Sequence, residues 1–486
     1  MRRLLVLALA LCGLAQAQAP SSPLDLTASA AWAGWSRPDR PTEVDVRLAA
    51  GQPARVVLEV VAGRQTVATE LALQPGQPAR VRMPVAAAES ITARARAADG
   101  REVAQTVEIR RSASPLLGVV LAGGGTLALA GFHAVALGAA DLPRLATAYA
   151  AIDALVLDAS LLTALDARQT AALLGHAAAC GRMVVLHADA PVRQLLAGGG
   201  GCGRHALMWA ASPDEARQAL TDALSHRLPE PVALGAIGEL RQPDLAIWTR
   251  VAVAVAIYFA AAALVLLFVR KAAGLVLLPV LATAAMGLLL WAQEPVSQLL
   301  VWGEGGSGAP QARYQAWQQV QGVARGSVRV SIPPALGGSA QACQSRQALR
   351  LQFDGSRGQA LGAEFDSRLF ARTWLCFAGS FPTTRTIAVD LRPDGVPEAR
   401  NAGTQAWPAG RLLDAGQVFD LPPLAGGARA ALPPSRPGAP RGPELQLAAA
   451  RTGFDGRAAL WPLDLTGAVD AGATATGWLL VDVAPR

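Results

Sequence analysis

Two long apolar runs, separated by a single pair of basic residues, constrain this chain more than any other feature. Val251–Val269 and Ala272–Ala292 each have the length of a bilayer-spanning helix, and only Arg270-Lys271 lies between them. Together they predict a transmembrane helical hairpin over 251–292. Basic residues are retained on the cytoplasmic side, so Arg270 and Lys271 act as topology determinants and place both flanking regions outside. The N-terminus gives the same topology. Met1-Arg2-Arg3, the short apolar run Leu4–Leu14 and the small residues Ala15-Gln16-Ala17 have the order of a secretory signal peptide, 1–17, cleaved after Ala17. The expected location is therefore the bacterial inner membrane, with the soluble domains in the periplasm and the lipid bilayer as one partner.

A third apolar stretch, Leu116–Leu137, competes on length, although it carries Gly123-Gly124-Gly125, Gly131 and His133. If it spanned, residues 138–250 would be cytoplasmic and the Arg270-Lys271 turn would face outward, against the positive-inside expectation. It reads instead as strands Leu117–Leu121 and Ala134–Leu137 of a folded domain, with a glycine turn between them. That turn lacks the Gly-x-Gly-x-x-Gly spacing and the lysine of a phosphate-binding loop.

Charge excludes several functions. The formal charge is +7, but 43 basic residues against 36 acidic ones are spread over the whole length, so nucleic acid is not an expected partner. Lys271 is the sole lysine, which removes Schiff-base and P-loop lysine chemistry. No histidine follows His226, so the C-terminal half lacks the commonest general base and metal ligand. Outside Cys12 in the targeting segment, the cysteines are Cys180, Cys202, Cys343 and Cys376. In an oxidising compartment they are expected to pair as Cys180 with Cys202 and Cys343 with Cys376, the alternative being four buried free thiols.

The soluble parts differ in periodicity. Residues 22–112 alternate apolar and polar positions in short runs, such as Glu43-Val44-Asp45-Val46-Arg47-Leu48 and Ala79-Arg80-Val81-Arg82-Met83, punctuated by Gly and Pro turns. This predicts an immunoglobulin-like β-sandwich. Residues 116–235 alternate apolar strands with helical runs, the pattern of a parallel α/β sheet. Strand Ala154–Leu157 precedes a helix capped by Asp166 and Gln169 and stopped at Gly181, then strand Met183–Leu186. A later helix starts at Ser212-Pro213-Asp214-Glu215. Gln311–Gln321 reads as a short polar helix, and 327–486 as a β-rich domain.

The run Leu142-Pro143, Tyr149, Ile152-Asp153-Ala154-Leu155-Val156-Leu157, with the capped helix and Gly181-Arg182-Met183-Val184-Val185-Leu186, resembles the class I glutamine amidotransferase-like domain of bacterial membrane-anchored proteins. The resemblance implies a flavodoxin-like fold for 116–235. The fold class expected is thus multidomain, α/β plus all-β, with the hairpin between. In catalytic members a cysteine sits on the turn after the strand that Met183–Leu186 matches. Here that turn reads His187-Ala188-Asp189-Ala190, and the oxyanion turn after Leu157 reads Asp158-Ala159-Ser160. The resemblance therefore implies a degenerate, binding-type member.

The candidates for chemistry are few. Cys202 beside His205 could form an imidazole-activated thiolate, or the cysteine could belong to a disulfide. His187, Asp189 and His205, with Cys202, could ligate zinc but lack the close spacing of a metal motif, and no metal or other cofactor is expected. His176 and Cys180 share a helical face at four-residue spacing. Asp158 and Ser160 stand at the ligand edge of an open sheet. The expected function is a non-catalytic scaffold, sensor or envelope assembly factor that binds another envelope protein or a ligand. The alternative is a periplasmic hydrolase or amidase using Cys202 with His205 or a bound metal.

Overall fold

The computed structural model describes residues 24–196 except 39, residues 205–226, and, with short breaks, 296–483; between 227 and 295 only isolated positions are described. Strands dominate. The N-terminal part contributes β1 (Leu24–Ala30), β2 (Thr42–Ala50), β3 (Ala54–Ala62), β4 (Gln65–Leu73), β5 (Ala79–Val85), β6 (Ser90–Ala97) and β7 (Glu102–Glu108). Strict alternation makes these strands: in β2 the side chains of Val44, Val46 and Leu48 face the core, while Arg47 on the other face is exposed. β1, β2 and β5 form one antiparallel sheet, which packs against a second sheet containing β3, β4, β6 and β7.

The middle part is a five-stranded parallel sheet of β8 (Leu116–Val120), β9 (His133–Ala136), β10 (Ala154–Asp158), β11 (Arg182–Leu186) and β12 (Leu207–Ala210), in the order β9-β8-β10-β11-β12. Its central strands are continuous apolar runs because both faces are covered. α1 (Ala167–Ala178) lies over one face, and α3 (Pro213–Leu224) over the other; α2 (Ala190–Leu196) follows β11.

The C-terminal part contributes β13 (Val296–Gly306), β14 (Gln311–Gln321), β15 (Gly326–Ser331), β16 (Ser339–Ala342), β17 (Leu349–Asp354), β18 (Gln359–Ser367), β19 (Arg372–Pro382), β20 (Gly410–Asp414), β21 (Gln417–Leu421), α4 (Pro443–Thr452), β22 (Arg457–Pro462) and β23 (Thr474–Asp482). Eight of these strands form one sheet, β16-β19-β14-β13-β23-β22-β20-β21. The other three cross into the N-terminal part. β17 pairs in parallel with β4, Leu351 opposite Val67, and the second N-terminal sheet becomes seven-stranded, β15-β18-β17-β4-β3-β6-β7.

The expected fold class is corrected on these points. Residues 22–112 do not close into an immunoglobulin-like sandwich of their own, because β15, β17 and β18 complete their sheet and one apolar core runs through both ends of the chain. The flavodoxin-like or amidotransferase-like domain is not formed as expected: the connections from β8 to β9 and from β9 to β10 carry only short 3-10 turns, where a doubly wound fold has crossover helices. No helix among the described residues is long and apolar enough to cross a membrane, so the structure does not support the expected transmembrane hairpin or the inner-membrane location built on it. The segments 251–269 and 272–292, Arg270 and Lys271 included, lie outside the described residues but for isolated positions, and the expected signal peptide 1–17 lies outside them altogether. Gln311–Gln321 is a strand, not a helix. It is central to the eight-stranded sheet, hydrogen-bonded on both sides, with Ala312, Tyr314, Ala316, Gln318 and Val320 buried on one face.

Candidate functional site

The polar face of β2 and β5 is covered in part: Glu43 and Arg82 are buried, while Arg47 and Arg80 remain exposed. Asp45 stands opposite Arg82 across the pair, with Glu43, Arg80 and Arg47 on the same face. The parallel-sheet part docks there through backbone groups. Arg82 donates to the carbonyl oxygens of Leu142 at 2.8 Å and Ala140 at 3.3 Å, and Glu43 accepts from the amides of Arg144 at 3.0 Å and Leu145 at 2.9 Å. Trp32, fully buried after β1, reaches into the same junction: its indole Nε1 donates to the Ala148 carbonyl at 2.8 Å, and its ring meets Tyr149 edge-on at 5.3 Å. Arg37 and Arg40 clamp Asp153 from the side, each at 3.2 Å.

What remains between the two layers is a cleft of about 660 Å³, walled by Trp32, Glu43, Asp45 and Arg80 on one side and by Leu121, Leu137 and Leu161 on the other. Its second wall follows the carboxyl ends of β8, β9 and β10. The chain leaves β8 toward β9 on one side and returns to β10 on the other, so the cleft opens at the topological switch point, where open parallel sheets bind ligands. Glu43 is its unusual group. Burial pushes its carboxyl up to about 7, against the pull of the Arg82 guanidinium 3.6 Å away and of the two amides.

The sequence candidates fall into three separate places. Asp158, Ser160, His187 and Asp189 gather at the carboxyl edge. Asp158 Oδ1 accepts from Ser160 N at 3.0 Å and Ser160 Oγ at 2.7 Å, and its Oδ2 lies 3.4 Å from His187 Nδ1. Burial would raise this carboxyl, but the Ser160 hydrogen bonds and the His187 ring outweigh it and hold Asp158 below the ordinary carboxylate range. His187 sits on left-handed backbone, φ +54°, at the sharp turn after β11. Asp189 accepts from the Val192 amide at 2.9 Å and so caps α2.

His205 is elsewhere. It precedes β12 at the opposite, amino edge of the sheet, and its ring stacks on His226 with centroids 3.6 Å apart. The expected zinc set of His187, Asp189 and His205 is therefore corrected: these residues occupy two edges of one sheet. Cys202, their fourth candidate, lies outside the described residues. His176 is buried against Tyr149, ring centroids 5.0 Å apart, and burial pushes its pKa down to about 4. It is a core histidine and not half of a metal site with Cys180. Cys180 accepts from Arg313 at 3.1 Å. No two cysteines among the described residues lie at disulfide distance from each other. Cys180 and Cys376 are each disulfide-bonded, while Cys202 and Cys343, named for the expected pairs Cys180–Cys202 and Cys343–Cys376, lie outside the described residues.

Chemically, the carboxyl edge holds an acid shared between a hydroxyl and an imidazole. Ser160 donates to the Asp158 carboxylate and not to His187, so no imidazole is aimed at that hydroxyl. The cleft residues Glu43, Asp45, Arg80 and Arg82 escaped the sequence reading because their alternation with Val44, Val46, Val81 and Met83 is that of any solvated strand face. The signal available was one directly opposed acid–arginine pair, Asp45 and Arg82, flanked on the same face by Glu43 and Arg80.

No family model matches the sequence, and no curated protein matches it. Among solved structures, the chain is similar to the yeast delta-COP-I mu-homology domain complexed with a Dsl1 WxWxV peptide, at 6% identity and a TM-score of 0.21, over 40% of this chain and 98% of that one. It is also similar to the yeast delta-COP-I mu-homology domain alone, at 8% identity and a TM-score of 0.18, over 40% of this chain and 100% of that one. At those scores the likeness carries no argument about fold or function.

Proposed function

We propose that the protein is a non-catalytic binding module, a scaffold or sensor whose ligand is a small polar molecule held in the cleft at the switch point. The observation that carries this reading is the cleft itself: a cavity of about 660 Å³ at the ligand edge of a parallel sheet, lined by charged side chains that are already paired with one another. Paired side chains offer hydrogen bonds to a ligand and hold their geometry. At the same edge Asp158 and Asp189 are occupied in local contacts, which supports binding over bond-making among the described residues.

The test is a thermal-shift screen of the full chain against small polar compounds, repeated on Ala136→Trp. Ala136 is an exposed residue lining the cleft, and a tryptophan there fills it without touching the core. A compound that raises Tm in the parent and has no effect on the variant supports the reading. Compounds that act equally on both, or that are consumed during incubation, sink it.

A further inference from the structure

His205, Asp222 and His226 come together at the amino edge of the parallel sheet, far along the fold from the cleft. One ligand-capable atom of each lies within 4.8 Å of the others. Asp222 stands in the last turn of α3, and His226 follows four residues later, beyond the helix end, so both lie on one side of it. His205 reaches them from the segment that leads into β12, and its Nδ1 is 3.9 Å from Asp222 Oδ2.

Three features suit a cation there. First, His226 Nδ1 is engaged by the Asp222 carbonyl at 3.1 Å and Ser225 Oγ at 3.0 Å, which fixes the ring and leaves Nε2 as the outward atom. Histidines that bind metals are oriented in this way, with the second ring nitrogen held by a carbonyl or carboxylate. Second, the His205 and His226 rings lie parallel, 9° apart, at 3.6 Å between centroids. The contact sets the two imidazoles side by side, with one ligand-capable atom of each close to the Asp222 carboxylate. Third, the cluster lies at the C-terminal end of the twelve-residue helix α3, the negative pole of its dipole.

We propose that His205, Asp222 and His226 form a site for a divalent first-row transition ion of the zinc type, with solvent completing its coordination. Two imidazole nitrogens and one carboxylate oxygen are the donors such ions take, whereas magnesium and calcium prefer oxygen alone. Ligands of one ion stand roughly 3–4 Å apart, a distance that rotation of the exposed Asp222 side chain reaches. The ion would tie the lead-in of β12 to the end of α3. This inference does not depend on the ligand cleft, which lies at the opposite edge.

The experiment titrates Zn²⁺ into the full chain, free of any affinity-tag histidines, by calorimetry, and Co²⁺ by absorption spectroscopy. The expected result is one saturable equivalent, a weak visible Co²⁺ band without the intense near-ultraviolet absorption of thiolate ligation, and at least a tenfold loss of affinity in both His226→Ala and Asp222→Ala. Asp222 is 70% exposed, so its variant folds even if the histidine variant does not. The proposal is overturned by the absence of a saturable equivalent, by unchanged affinity in Asp222→Ala, or by a thiolate band assigning the ion to cysteine.

Discussion

Glu43 sits among apolar strands with one arginine and two amides for company, and its raised pKa makes it the most pH-sensitive carboxyl of the cleft. Its ordinary value is 4.5 and its value in the folded chain is about 7. Folding thus favours the neutral form. The stability this contributes is fully present below about pH 4.5 and is lost as the pH rises through about 7, a difference of about 3 kcal/mol by linkage. His176 runs the other way: folding keeps it neutral, so its contribution is present above about 6.5 and lost as the pH falls through about 4. Comparing Glu43→Gln with the parent cancels the His176 part. The variant should lose the decline between pH 4.5 and 7 and be the more stable protein at pH 8, as read from denaturant midpoints across pH. An unchanged pH profile would mean that Glu43 is ionised in place. Nothing in the sequence marked this residue, because its alternation with Val44 is satisfied equally by water or by a second layer, and only the docking of Leu142–Leu145 decides which.

Elements were more legible where their ends carry chemistry. The helix over Ala167–Ala178 begins with a capping box: Asp166 accepts from the amides of Arg168 and Gln169, both at 2.9 Å, and Gln169 Oε1 accepts from the Asp166 amide at 3.1 Å. It stops where Gly181 approaches His176 so closely that a Cβ would lie 1.9 Å from the ring. Both signals are local, so the sequence carries them in full. The second half of the Gln169 side chain is not local. Its Nε2 donates to the carbonyls of Ala139 and Leu142, each at 3.0 Å, tying the helix start to the lip of the cleft. Asp166→Ala should cost about 1 kcal/mol, the ordinary loss of an N-cap. Gln169→Ala should cost about 2 kcal/mol, since it also strands buried carbonyls. Equal losses in urea melts would show that the lip contacts add nothing. Gln311–Gln321 failed as a helix for the opposite reason. Its polar residues look solvent-facing in isolation, yet Gln318 and Gln319 are buried because strands flank them on both sides, and that pairing partner lies at 372–382, beyond any local pattern.

Across the whole molecule, the parallel pairing of β4 with β17 decides whether the two β-rich ends are one body. Leu349–Gln352 lies beside Gln65–Ala68, Arg350 bonds Glu59 at 2.6 Å, and Leu351 is fully buried in a core that also holds Val60, Ile91 and Leu299. An independent N-terminal sandwich would present β4 as a bare edge, which natural sheets avoid by covering it. Here the cover comes from nearly 300 residues along the chain, which is why a reading of 22–112 alone produced a closed domain. Trp32 makes the same kind of link to the middle part, where Gly118 has no Cβ because one would stand 2.7 Å from the indole. Leu351→Asp places an unpaired charge at the joint and should cost roughly 3–5 kcal/mol. The decisive reading is where the loss appears. If the ends form one cooperative core, hydrogen exchange should accelerate together at Val60 and Ile91 in the N-terminal strands and at Leu299 in β13. Protection retained at Val60 and Ile91, with only 349–367 opening, would restore the self-contained sandwich and reduce β15, β17 and β18 to an accessory flap.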